Sequence, residues 1–333
     1  MKSATNLGIR CLVCGSDSFR LSHQGVRDLE HAQSGRVDFA VCQTCGWLTQ
    51  VPAPTRESLR AAYPADYRPY VSGRSATGSA ALLRRLKDWQ ASRLATTLTP
   101  FLPVDRDAPI LDLGCGSGHL LFALLARGYR RLTGMDQNPG LLSAFAGSPI
   151  RYRSRDLEAN GSLEGPYGAI VMVNVIEHFL HPDEILSLCR ESLLPGGTII
   201  VITPSTEGLS HQIFGPYWSG LHAPRHTQVF SPGNFRQLAA RLGLTEVRTI
   251  ALVDPGSWAI SFQNFIRSLG RPSQSAGSGT AWYSLALLPL WYSLALLELL
   301  LGRASSFLAV LASLPVMESA ADFKPSAVKS TIP

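Results

Sequence analysis

Between residues 109 and 253 short apolar runs alternate with helical patterns. The first run breaks into a glycine-rich bend, Ile110-Leu111-Asp112-Leu113-Gly114-Cys115-Gly116-Ser117-Gly118. A short apolar run bounded by turn residues reads as a strand buried on both faces, and strands that alternate with helices lie side by side in a parallel sheet. The chain reads as strands at 110–113, 132–135, 150–153, 169–175, 198–203 and 246–253, with helices at 119–127, 139–146, 182–193 and 232–242 between them. His181 or Asp183 opens the helix at 182. Ser231 caps the helix at 232, with Pro232 at its first position. Pro195-Gly196-Gly197 turns the chain before the fifth strand, and 306–313 reads as a seventh strand. The expected fold class is α/β, a doubly wound, mainly parallel seven-stranded sheet.

The bend also limits the ligand. Glycines where a strand meets a helix let a ligand approach the backbone closely. A dinucleotide site requires G-x-G-x-x-G, but this chain has His119 where the last glycine belongs and carries Gly118 instead. Asp112, two residues before Gly114, would repel a pyrophosphate. A second acid, Asp136, ends the next strand, where a carboxylate accepts hydrogen bonds from ribose hydroxyls. A third, Asp156, follows strand three within reach of an adenine amino group. Three carboxylates at adjacent strand ends suit a nucleoside that carries positive charge, such as S-adenosylmethionine.

Residues 111–118 resemble the first motif of class I S-adenosylmethionine-dependent methyltransferases, and Gly134-Met135-Asp136 resembles their second. The run Ile170-Val171-Met172-Val173-Asn174-Val175-Ile176-Glu177-His178-Phe179 is similar to the fourth-strand motif of the branch that includes ubiquinone-biosynthesis O-methyltransferases. Leu194-Pro195-Gly196-Gly197-Thr198, Thr203-Pro204-Ser205 and the stretch 222–231 resemble the same branch. The likeness implies that Asp112, Gly114, Cys115, Gly116 and Gly118 form the cofactor loop. It assigns the ribose to Asp136, the adenine to Asp156 with Leu157, and the space behind the sulfonium to Asn174.

Methyl displacement from a sulfonium needs alignment, and a base where the nucleophile carries a proton. His178, just beyond strand four, is the first candidate for that base, and His222 and His226 are the next. The competing reading is that Glu177 and His178 only order their loop. Arg225 between two histidines is a candidate for holding a substrate phosphate or carboxylate. The chain lacks the Asn-Pro-Pro-Tyr loop usual in enzymes that methylate amino nitrogens, which directs the expectation to a hydroxyl or carbon of a small molecule, sugar or lipid-linked glycan. The alternatives are an RNA or protein methyltransferase that grips its substrate with an N-terminal zinc ribbon, and a non-catalytic cofactor-binding scaffold.

That ribbon is expected over residues 1–50. Cys11-x-x-Cys14 and Cys42-x-x-Cys45 are separated by 27 residues, and each pair is followed by a glycine, Gly15 and Gly46. Two such knuckles complete a four-sulfur structural Zn2+ site with no open position, joined by a hairpin around 19–22 and 37–41. His23 and His31 are expected to be bystanders. The rest divides into a linker at 51–79, a methyltransferase domain at 80–256 that opens with an amphipathic helix at 80–98, an insertion at 257–303 that is irregular to 280, a last strand within 304–316, and a loose tail at 317–333.

Composition excludes a wholly disordered chain, a coiled coil and a collagen-like rod, since 45% of the 333 residues are hydrophobic and only 16% are charged. The net charge is +6, but only Lys2, Lys87, Lys324 and Lys329 of the 30 cations are lysines and no dense basic run exists, so nucleic acid is not an expected partner. The first ten residues lack an apolar signal core, which points to the cytoplasm. The run 281–301 is interrupted only by Ser284, Pro289, Ser293 and Glu298. Three readings compete for it: a buried or homodimer contact, a helix lying in the cytoplasmic face of a membrane, and a span.

Overall fold

The computed structural model describes residues 7–31, 35–63, 79–270 and 286–313. The tail, the segment 281–285 and most of the expected linker lie outside the described residues. The chain opens with β1 (Phe19–Val26), β2 (Val37–Cys42) and β3 (Leu48–Val51), then α1 (Arg56–Ala61) and α2 (Ser79–Leu98). The alternating part follows: β4 (Ile110–Leu113), α3 (His119–Leu125), β5 (Leu132–Asp136), β6 (Arg151–Ser154), α4 (Leu157–Asn160), β7 (Tyr167–Val173), α5 (Pro182–Glu191) and β8 (Leu193–Pro204). The remainder is α6 (Leu209–Phe214), β9 (Gln228–Val229), α7 (Pro232–Arg241), β10 (Leu244–Leu252), α8 (Pro255–Leu269), α9 (Leu288–Leu300) and β11 (Ser306–Ser313).

Seven strands form one sheet in the order β10-β11-β8-β7-β4-β5-β6. The pairs from β8 to β6 are parallel, while β11 runs antiparallel to both β8 and β10. Successive side chains of a strand face opposite ways, so Ile170 and Met172 pack with α5 and α7 on one side, and Ala169 and Val171 pack with α2 and α3 on the other. Strand order reverses at β4, which lies between β5 and β7. That switch point opens a crevice at the carboxyl ends of the strands, the usual ligand position in such sheets.

The N-terminal strands form a second sheet, β1-β2-β3-β9, whose last member belongs to the large domain. Leu48 and Thr49 pair with Val229 and Gln228. The Gln50 amide donates to the carbonyls of Pro224 and His226 at 2.8 and 2.7 Å, and Arg241 of α7 donates to the carbonyls of Leu12 and Val13. The ribbon is therefore sewn to the loop that precedes α7.

Three local expectations are corrected. Part of the stretch expected as linker folds as α1, capped by Thr55, whose side chain accepts from the Ser58 N–H. The stretch expected to be irregular contains the 15-residue α8, where Pro255 occupies the first turn and the Asp254 side chain accepts from the Ser257 N–H. His181 makes no side-chain cap for α5; Glu158 instead accepts from the His181 N–H at 3.0 Å. The Ser231 cap of α7 forms as a reciprocal capping box with Asn234.

The apolar run reads differently in three dimensions. Trp291, Ala295 and Glu298, spaced four and three residues apart on one helical face, are buried against α8, where Trp291 and Ala295 join Trp258 and Ala259. Glu298, 1% exposed, accepts hydrogen bonds from the Leu209 N–H, Trp258 Nε1 at 3.2 Å and Ser305 Oγ at 2.9 Å. Among the described residues, no helix is long and apolar enough to cross a membrane. Replacing Glu298 by leucine leaves buried donors without an acceptor and should destabilise the chain by about 3 kcal/mol, read as a lowered thermal midpoint; an unchanged midpoint would contradict this anchoring role.

Candidate active site

The glycine bend runs from the end of β4 into α3. Gly114, Gly116 and Gly118 all have positive φ, and Gly118 is the left-handed N-cap of α3. A Cβ on Gly114 would fall 2.4 Å from Val175, and one on Gly118 would fall 2.5 Å from Phe145. Both positions are thus closed to side chains by shape as well as by φ. The bend is held from below, where Asp136 accepts the Gly116 N–H at 3.1 Å and the Asn138 N–H at 3.1 Å, one on each carboxylate oxygen. Asp112 is 3% exposed. Burial, with the Asp136 charge added, pushes its carboxyl up to about 8, and burial also raises Asp136.

A cavity of about 490 Å3 opens above the bend, within the range of small-molecule sites. Of the residues expected to hold a cofactor, Gly114, Asp136, Asp156, Leu157 and Asn174 line it. Cys115, Gly116, Gly118 and Asp112 shape or support the bend from outside that lining. Asp156 is already engaged: it pairs with Arg60 and accepts the Glu158 and Ala159 N–H groups as the cap of α4. Asn174 has φ 52, a left-handed backbone that is uncommon without glycine and here faces the cavity.

Three histidines converge at the other end. The His178 and His226 ring centroids are 4.5 Å apart, and those of His222 and His226 are 5.0 Å apart. His178 Nδ1 lies 3.0 Å from the Tyr63 hydroxyl and 3.1 Å from the Arg225 carbonyl. Burial, with His222 and Arg225 beside it, lowers His178 to about 3, so the ring is neutral at physiological pH. His226 faces the Gly220 carbonyl through Nδ1 at 2.8 Å and Glu177 through Nε2 at 3.9 Å. Glu177 accepts from Thr203 at 2.9 Å, is fully buried, and is pushed up to about 8 by that burial.

Arg225 is a correction. It is fully buried and lies outside the cavity lining. Its guanidinium donates to Asp28 at 2.8 Å, to the Ala62 carbonyl at 3.0 Å and to His222 Nε2 at 2.8 Å. Buried in this way, it does not reach the cavity in which an acceptor would bind. The residues missed by sequence reasoning are Glu30, Tyr63, Arg56 and Arg60, all of which line the cavity. They come from the ribbon and from the stretch read as linker, where no local spacing signals a site.

The four ribbon cysteines also converge, with Cys11 and Cys45 sulfurs 3.5 Å apart and Cys14 and Cys42 sulfurs 3.6 Å apart. These separations approach the edge of about 3.8 Å for a tetrahedron with Zn–S bonds of about 2.3 Å. They are far longer than a disulfide bond. Neither His23 nor His31 belongs to this cluster.

The family model described as "Methyltransferase domain" matches residues 84–249, the span that builds the bend and the histidine end of the cavity. These residues are a methyltransferase domain. Its mainly parallel sheet and glycine bend are those expected of the S-adenosylmethionine-dependent class. Among curated relatives, a tRNA U34 carboxymethyltransferase of Shewanella piezotolerans is 25% identical over 197 residues, 56% of this chain and 58% of its own length. A ubiquinone biosynthesis O-methyltransferase of Cereibacter sphaeroides is 30% identical over 165 residues, 46% of this chain and 66% of its own. The alignments thus span less than two thirds of these relatives' lengths.

Asp112 and Glu177, both pushed up to about 8, set a pH dependence. Unfolded carboxylates titrate near 4, so above that value and up to about 8 the folded chain keeps protons on Asp112 and Glu177 that the unfolded chain has lost. Stability therefore falls as pH rises toward about 8. The thermal midpoint of the ligand-free chain should therefore drop as pH rises from 7 toward about 8. Asp112→Asn combined with Glu177→Gln should flatten that drop, and an equally steep profile in the double variant would refute the assignment.

Proposed function

We propose that this chain transfers a methyl group from S-adenosylmethionine to a hydroxyl or carbon of a small-molecule, sugar or lipid-linked glycan acceptor. The observation that carries the reading is one cavity lined both by the glycine bend with Asp136 and by three histidines. When bound, the cofactor supplies a methyl already activated on a sulfonium. Gly114 leaves room for it against the backbone. Asp136 and Asn174, which line the cavity, would hold it, and the raised carboxyl of buried Asp112 would ionise in the presence of a cation. His178 is the base in this reading: a neutral ring beside the acceptor, steadied by Tyr63 and the Arg225 carbonyl, takes the acceptor's proton as the new bond forms. The four cysteines hold a structural Zn2+, an assignment supported by the sulfur separations and by the closed donor set.

Calorimetry with S-adenosylmethionine tests the donor half. The wild type should bind, and Gly114→Ala should weaken binding at least tenfold, because its Cβ would collide with Val175. His178→Ala should leave that affinity unchanged and lower kcat about a hundredfold, within the usual share of a general base. Absence of binding to the wild type would end the reading.

An RNA acceptor is the second reading, supported by the name of the tRNA relative. It requires tRNA binding that weakens steeply with salt.

The lipid-linked branch draws support from α8 and α9. The amino-terminal turns of α8 wall the cavity through Gly256, Ser257 and Ile260. Farther along α8, Leu269 is 69% exposed, and on α9 Leu296 and Leu300 are 50% and 84% exposed. Anionic phospholipid vesicles should carry the wild type on flotation, and Leu296→Glu with Leu300→Glu should abolish it; a wild type that stays in the aqueous fraction removes this branch.

A further inference from the structure

The ribbon does more than stand beside the methyltransferase domain. Its loop after β1 delivers Glu30 into the cavity lining, beside His222. Asp28 arranges that delivery: its Oδ1 accepts the Glu30 and His31 N–H groups at 3.0 and 2.9 Å, and its Oδ2 is paired with buried Arg225. Arg225 in turn donates to His222 Nε2, which leaves the ring proton on Nδ1, 3.0 Å from Glu30 Oε1. The result is a directed chain, Asp28 to Arg225 to His222 to Glu30, that ends in a carboxylate at the acceptor end. His222 is held with φ 29 to make this contact, the left-handed backbone that non-glycine residues rarely adopt.

We propose that Glu30 is the acceptor-recognition residue of this site, and that it selects a neutral, polyhydroxylated acceptor, a sugar ring whose hydroxyls donate hydrogen bonds to its carboxylate. The inference rests on the proposed methyl transfer and deepens it. Burial by itself would raise the Glu30 carboxyl. His222, whose Nδ1 faces it, with Arg225 behind, outweighs burial and holds it at about 2. It is thus an ionised acceptor of hydrogen bonds at the histidine side of the cavity. The charge pattern argues against anionic acceptors. Of the arginines among the described lining residues, Arg60 pairs with Asp156, Arg155 pairs with Glu164 and Arg56 donates to the Glu158 backbone carbonyl, while Arg225 is sealed off.

A metal ion is the competing occupant, since donor atoms of Glu30, His31 and His222 lie within 4.8 Å of one another. A metal-bound neutral histidine donates through its other nitrogen. Here that nitrogen accepts a hydrogen bond from Arg225, so ligation through Nδ1 would demand an imidazolate.

The test uses the full chain saturated with S-adenosylhomocysteine and titrated, by calorimetry, with neutral methyl pyranosides (gluco, galacto, manno, fuco and rhamno) and with the matching hexose phosphates. At least one neutral glycoside should bind saturably and more tightly than its phosphate. Glu30→Gln should weaken that binding at least tenfold while the affinity for S-adenosylhomocysteine stays within twofold. No glycoside binding by the wild type, equal binding by Glu30→Gln, tighter binding of the phosphates, or binding that appears only with added Zn2+ or Mn2+ would each overturn the assignment to Glu30. Failure of the wild type to bind S-adenosylhomocysteine would overturn the methyltransferase reading itself, and this subsite with it.

Discussion

The buried pair of Arg225 and Asp28 joins the two halves of this protein. Opposite charges removed from water are costly unless each is paired and its remaining hydrogen bonds are made. Here the guanidinium meets a carboxylate, a carbonyl and a ring nitrogen, from the ribbon, the end of α1 and the loop before β9. Three segments distant in sequence are tied at one point, and each also borders the cavity. Breaking such a pair strands a buried charge, a loss of about 3–5 kcal/mol. The ribbon is therefore a wall of the site, held to it by strand pairing at β9 and by this ion pair.

Across the cavity the electrostatics run the other way. Asp112 and Asp136 lie beneath the glycine bend with little solvent to stabilise their charges. Burial drives both carboxyls toward the protonated form, which a cationic ligand would reverse. Cofactor affinity and local stability are opposed at the same residues. The glycines serve a separate need: Gly114 and Gly118 bring the backbone close to Val175 and Phe145, so the bend stays tight and its upper surface stays open.

Much of the fold was legible because burial on both faces leaves a plain mark. Ile170, Val171 and Met172 can only be a central strand, and Asp112 before three glycines can only be a strand end that receives a ligand. The Cys-x-x-Cys pairs were legible for the same reason, as spacing within a few residues fixes which atoms meet. The acceptor side was not. Glu30 and Tyr63 owe their place to contacts with residues more than a hundred positions away, and Arg225 looked like a substrate anchor because its neighbours in sequence are histidines. α8 escaped notice since its buried positions mix Trp258 and Ala259 with the polar Ser257, Ser261, Gln263 and Asn264, so no clean apolar stripe marks it.

What the amino-acid order determined by itself was the α/β alternation, the cofactor bend and the cysteine cluster, since each depends on periodicity or spacing over a few residues. What only the tertiary structure decided was the acceptor end: that the ribbon lends it Glu30, that Arg225 is a buried tie, and that Glu298 anchors an apolar helix whose opposite face stays exposed. Those outcomes depend on which distant charges are shielded from water together, and burial of that kind is a property of the assembled chain.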